Sequence, residues 1–151
     1  MRATPAGAQE QTYRGQRLGL PESGQASLAP PGPRIAAWIV DAIASGLVAA
    51  LFVNAFAPRD ADHDLAARLP GYWSLVPFAV DYVVGLLVAG RTLGMYLFGL
   101  RVIRVDRNEA VNPWRALLRT LLLMLFIPAV VFDRDGRGLH DRYTDTAVVR
   151  S

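Results

Sequence analysis

Two aspartates stand inside apolar runs, where an ionised carboxylate has no water to face. Asp41 lies seven residues into the stretch 35–57 and Asp81 about nine residues into 72–89. A charged side chain at such depth costs at least about 2.5–3.5 kcal/mol on insertion scales, so each acid needs a compensating proton, a paired cation or a water-filled niche. If the two stretches run antiparallel, the acids approach within a few ångströms, close enough to share one proton or hold one cation. Ser45 adds a hydroxyl one turn beyond Asp41. Two readings of Asp41 stay open: a ligand-, proton- or cation-binding group, with Asp81 and Ser45 assisting, or a buried acid satisfied by an arginine or amide for assembly alone. Ala42, Gly46 and Ala50 form a ladder of small residues at spacing four, which lets a neighbouring helix approach closely.

Arg34 stands seven positions before Asp41, on nearly the same helix face but about 10 Å away along the axis. Direct contact between them is therefore not expected. A long guanidinium at the membrane edge can instead close a network with a carboxylate from another segment. Other motifs are weaker. Gly90-Arg91-Thr92-Leu93-Gly94 fits neither the Walker pattern nor the dinucleotide fingerprint. It reads as a juxtamembrane segment with tight glycine turns, in which Leu93, Tyr96, Leu97 and Phe98 bury in the interface. His140-Asp141 has no serine or cysteine arranged around it, so a hydrolytic triad is not expected and capping or salt bridging is the simpler role. Asp133 and Asp135 lack the remaining ligands of a calcium loop and read as a polar turn. No enzyme, cofactor or metal centre is expected from this inventory.

The elements that must position these residues follow from composition. The chain has 151 residues, 52% of them hydrophobic, and its mean hydropathy of +0.24 is too high for an ordinary soluble domain of this size. The 16 basic residues are all arginine and the pI is near 9.8. They flank the apolar runs and do not gather on one polar face, which excludes a nucleic-acid binder and makes them topology signals. Zero cysteine removes disulfides, thiol nucleophiles and cysteine-ligated metals.

Residues 1–33 are rich in proline, glycine, glutamine and serine and read as a disordered cytoplasmic tail, with prolines 30–33 forcing an extended stretch. The stretch 35–57 covers about 35 Å as a helix, enough for a hydrocarbon core of about 30 Å. Cleavage after its Ala55-Phe56-Ala57 is disfavoured, since the run is too long for a signal core and carries an aspartate. A second span at 72–89 follows an acidic loop, with Tyr72 and Trp73 at the interface. Residues 100–105 look like a short strand. The third apolar stretch, 114–132, is the difficult one. Between Arg119 and Asp133 only 13 residues are free of charge, short of a crossing, and starting at Trp114 requires Arg115 and Arg119 to snorkel. A kinked, re-entrant helix returning near Pro128 is favoured over a plain third span. The arginine count places the N-terminus in the cytoplasm: four arginines up to Arg34, two in the first loop, and four more between 90 and 113. The expected fold class is an all-α membrane protein: two transmembrane helices, a third that spans or re-enters, and a short interfacial or strand-like cytoplasmic segment. The membrane domain covers residues 34–151.

These pieces together resemble the RDD family of small bacterial membrane proteins, named for one arginine and two aspartates. The family places its arginine at the start of the first transmembrane helix and its first aspartate inside it, similar to Arg34 through Asp41 here. Its glycine-threonine-glycine segment resembles Gly90 to Gly94 running into Gly99-Leu100-Arg101-Val102. Its closing motif is similar to Gly138-Leu139-His140-Asp141-Arg142 followed by Thr146-Ala147-Val148-Val149, which makes Asp141 the second aspartate. The resemblance covers about 33–150. The sequence departs from the pattern where Thr144-Asp145 replaces a common Ala-Gly, and where the stretch after Arg119 is short for two further helices.

The resemblance implies an inner-membrane, multi-pass protein in which Arg34 pairs with Asp141, on the cytoplasmic side. It also implies transport of a small ligand or of monovalent cations coupled to protons. The partners expected are the lipid bilayer and a second copy of the chain or a membrane partner protein, because two spans and a partial third are too few to enclose an aqueous path. The rival expectation is a non-transporting assembly or scaffold protein that binds a partner or anionic lipid.

Overall fold

A computed structural model describes residues 11–56, 74–106, 111–125 and 137–151, apart from the side chains of residues 53 and 54. Among these residues the architecture is mostly helical, with one small sheet. Helix α1, Pro31–Phe56, begins four residues earlier than the apolar run predicts. The extended stretch expected at 30–33 is instead partly helical. Pro31 opens the helix and Pro33 lies in its first turn, where backbone N–H groups have no intrahelical acceptor and the fixed φ of proline suits the helix. The portion Pro31–Phe52 is long and apolar enough to cross a membrane, with only 22% of its most apolar stretch buried inside the chain. Its outward stripe of Ile35, Ile39, Ile43, Leu47 and Leu51 repeats every fourth residue and is exposed throughout, as expected of a helix facing lipid.

Helix α2, Leu75–Ala89, turns Phe78, Tyr82 and Leu86 inward at helical spacing. At 15 residues it is shorter than a usual span, and residues 72 and 73 of the predicted second span lie outside the described residues. Gly90, at φ +67°, ends α2 in the left-handed conformation and turns the chain into α3, Leu93–Leu97. Strand β1, Leu100–Arg104, follows as predicted. Helix α4, Pro113–Met124, is capped by the Asn112 side chain with proline at its first position. The remainder of the predicted 114–132 helix, the Asp133 and Asp135 turn, and the acidic loop with Tyr72 and Trp73 lie outside the described residues. Helix α5, Leu139–Tyr143, leads into strand β2, Thr146–Arg150.

β1 and β2 pair antiparallel, from Leu100 opposite Arg150 to Arg104 opposite Thr146. The other edge of β2 is covered by residues of the predicted tail. Ala26 N–H donates to Arg150 O, Arg150 N–H to Ser27 O, and Ala29 N–H to Val148 O, and Leu28 bridges Val149. Disorder through residue 33 is thus not what the chain adopts over 26–33. The β2 edge offers unpaired backbone groups, and the chain ahead of α1 satisfies them. Residues 1–10 lie outside the described residues. Ala37 of α1, Tyr82 and Leu86 of α2, Met95 of α3, Val102 of β1, Ala116 of α4 and Val148 of β2 share one core, which joins both ends of the chain.

Candidate functional site

Asp41 is 1% exposed, and three donors reach it. The Thr92 hydroxyl donates to Oδ2 at 2.6 Å and the Gly94 backbone N–H to Oδ1 at 2.5 Å, and the Tyr82 hydroxyl lies within reach of the carboxyl. The local sequence explains the first two. Thr92 caps α3, its hydroxyl oxygen accepting from Met95 N–H at 3.3 Å, so the loop after Gly90 presents one hydroxyl and one backbone N–H toward α1. Gly94 permits the approach. A Cβ there would collide with the Ala37 carbonyl and lie 2.8 Å from Asp41 Oδ1.

Asp81 on α2 faces the same point. Its carboxyl lies within hydrogen-bonding reach of Asp41, and the Leu93 backbone N–H faces it. Its Oδ2 is buried and has no hydrogen-bond partner among the described residues. The predicted convergence of the two acids is therefore present. Ser45 is buried but does not join them: it lines a cavity of about 120 Å³ with Trp38, Ala42, Phe78, Leu123 and Met124. Of the small-residue ladder, Ala42 packs against the core, whereas a side chain on Gly46 would meet nothing within 4 Å. That position of the ladder packs against no neighbour among the described residues.

Asp141, at 0% exposure, is the centre of a second cluster. Arg34 Nη2 from α1 pairs with its Oδ2 and Arg119 Nη1 from α4 with its Oδ1. His140 Nε2 is 3.4 Å from Oδ1. Arg119 Nη1 also donates to Thr146 Oγ1 at 2.8 Å, and Thr144 Oγ1 lies 2.9 Å from Thr146 Oγ1. An arginine can be buried this completely because its planar guanidinium keeps several charge-assisted bonds that a lysine could not make together. Tyr82 links the clusters, lying within reach of Asp41 and within electrostatic range of Arg119.

The motif resemblance names Arg34, Asp41 and Asp141 and implies that Arg34 pairs with Asp141, a pair that the structure contains. The structure sets Asp41 with Thr92, Gly94, Tyr82 and Asp81. Arg119, Thr92 and Tyr82 were not anticipated. Arg119 is 1% exposed and does not snorkel; Arg115, one turn earlier, does reach polar surroundings, at Asp106 and the Thr144 carbonyl. At the departure from the common Ala-Gly, Asp145 takes φ +47°, a left-handed conformation that glycine adopts freely and aspartate tolerates.

The arrangement can hold or pass a proton, or balance one charge, between the buried carboxyl of Asp41 and the half-buried carboxyl of Asp81. Among the described residues no group of three or more histidine, cysteine, aspartate or glutamate side chains could hold a metal ion. No curated protein and no solved structure matches the chain significantly. A family model does match, over residues 28–145, and its span takes in both acid clusters. The family is generally membrane-associated, in keeping with the exposed apolar stripe of α1. The chain belongs to the RDD family.

Proposed function

We propose that this protein is a multi-pass protein of the inner membrane, with a cytoplasmic N-terminus, that exchanges a proton or a monovalent cation at Asp41 and Asp81 as part of transport. The observation that carries this reading is the buried Oδ2 of Asp81, without a hydrogen-bond partner among the described residues, beside a second carboxylate in helices whose outer faces are apolar. A purely structural acid would be expected to have its oxygens satisfied, as those of Asp41 are.

The arginine distribution supports the orientation. The contact of residues 26–29 with β2, together with the Arg34–Asp141 pair, supports a stretch after α4 that returns to the side it left. A full third crossing would carry Asp141 about 30 Å away from Arg34. So few helices enclose no aqueous path alone, so the protein works as a homo-oligomer or with a membrane partner.

A second reading has its own support. Asp41 is fully hydrogen-bonded, and the open face at Gly46 suits a neighbouring helix, as an assembly protein would require. Proton-coupled cation flux in vesicles, measured for wild type, Asp41→Asn and Gly46→Leu, separates the two. Transport predicts flux in wild type and its loss in Asp41→Asn. No flux in wild type, with association lost only in Gly46→Leu, supports assembly.

A further inference from the structure

We infer that the acid pair takes a proton and not a dehydrated metal ion, with Asp81 carrying the proton and Asp41 serving as its fixed acceptor. The inference rests on the reading of this pair as the exchanging site and names its ligand.

Donor chemistry argues first. A bare cation must have its hydration shell replaced by oxygen lone pairs. Around Asp41 the protein supplies hydrogens instead: Gly94 N–H on Oδ1, Thr92 O–H on Oδ2, and the Tyr82 hydroxyl. The Thr92 oxygen is further occupied by Met95 N–H. These groups suit an anion and leave few oxygens for a metal. No third carboxylate, histidine or cysteine joins the pair among the described residues.

Asp81 has the complementary defect. Its Oδ2 is buried without a donor, and Asp41 is within reach. One hydrogen on Asp81 satisfies that oxygen and gives Asp41 a further bond, whereas two bare carboxylates face each other at a cost neither can discharge. The surrounding charges point the same way. Arg34 of α1 and Arg119 of α4 both pair with Asp141 of α5, so both guanidinium groups are engaged away from the acid pair. Tyr82 of α2 and His140 of α5 complete the set of titratable groups in the two clusters, and α3 contributes only Thr92 and backbone N–H. Among the described residues neither Asp41 nor Asp81 forms an ion pair, so one shared proton relieves the repulsion between them. In the exchange, the Asp81 O–H bond breaks, the proton leaves to water or a carrier, and the electron pair stays on the carboxylate until a proton returns.

Infrared difference spectra of the full chain in lipid nanodiscs, recorded across a pH series, test this. A protonated-carboxyl carbonyl band is expected in wild type, lost in Asp81→Asn, kept in Asp41→Asn, restored in Asp81→Glu, and unchanged when sodium or potassium replaces choline. Circular dichroism of each variant confirms folding. A band lost in Asp41→Asn and kept in Asp81→Asn would move the proton to Asp41 and overturn the assignment. Suppression of the band by sodium or potassium at fixed pH would overturn the choice of ligand. The spectra need no flux, so a wild type that shows the band without transport removes the transport reading and leaves the proton site standing.

Discussion

Arg34 and Asp141 stand 107 positions apart and form a buried ion pair, guanidinium to carboxylate. The start of the first long helix and the last helix before β2 are thereby held at one level of the molecule. A cysteine placed at Ser151, in a chain with no other, reports which level that is. Labelling in intact cells with a membrane-impermeant maleimide is expected to fail, and to succeed after the membrane is opened. Labelling from outside would contradict the cytoplasmic placement proposed for Arg34 and Asp141.

Asp141 holds two guanidinium groups apart as well as binding them. Replacing it with asparagine leaves Arg34 and Arg119 buried together with their shared counter-charge gone. Removing one partner of a buried ion pair typically costs about 3–5 kcal/mol. Asp141→Asn is therefore expected to lower stability by about that much in detergent unfolding, and Arg34→Met by less, because Arg119 remains on the carboxylate.

The approach of α3 to α1 depends on the missing side chain at Gly94. Gly94→Ala must push the Thr92–Gly94 loop off Asp41 or displace the Ala37 carbonyl. Overpacking of this kind costs about 1–3 kcal/mol. The same change at Gly46, where space is open, is expected to leave the melting temperature of the monomer within error. Thermal unfolding of both variants side by side checks the contrast.

Asp106, in the turn after β1, accepts from Arg104 at 3.0 and 2.8 Å and from Arg115 at 3.2 and 3.0 Å. The Arg104 hydrogen bond first, then the charges of Arg104 and Arg115, hold its carboxyl well below the usual range. A folded-state value below the unfolded one gives stability that is present above about pH 4 and lost as pH falls through the folded value. The group is solvated, so the contribution is small. The stability gap between wild type and Asp106→Asn is expected at neutral pH, narrowing as acid is added, and vanishing in high salt.

Much of this was legible from residue types and periodicity. The apolar run around Asp41 marks α1, β1 follows its alternation, and the spacing of the two acids in their apolar stretches allows the approach that the structure shows. What escaped is non-local. Arg119 sits mid-helix like any snorkelling arginine, and its burial depends on a carboxylate 22 positions later. Thr92 matters only because the turn at Gly90 aims its hydroxyl at α1. Residues 26–29 carry no strand pattern; Ala26 takes φ +63° in a turn and Leu28 bridges Val149 because β2 has an edge to fill. Asp145 stands where a glycine is common, and its left-handed backbone explains why the turn survives the change.

We propose that Asp81 exchanges a proton within the membrane. The most direct test is proton movement into vesicles containing the purified protein, read by a trapped pH dye after a cation gradient is imposed. Wild type and Asp106→Asn are expected to move protons and Asp81→Asn to move none. Equal proton movement by wild type and Asp81→Asn would contradict the account.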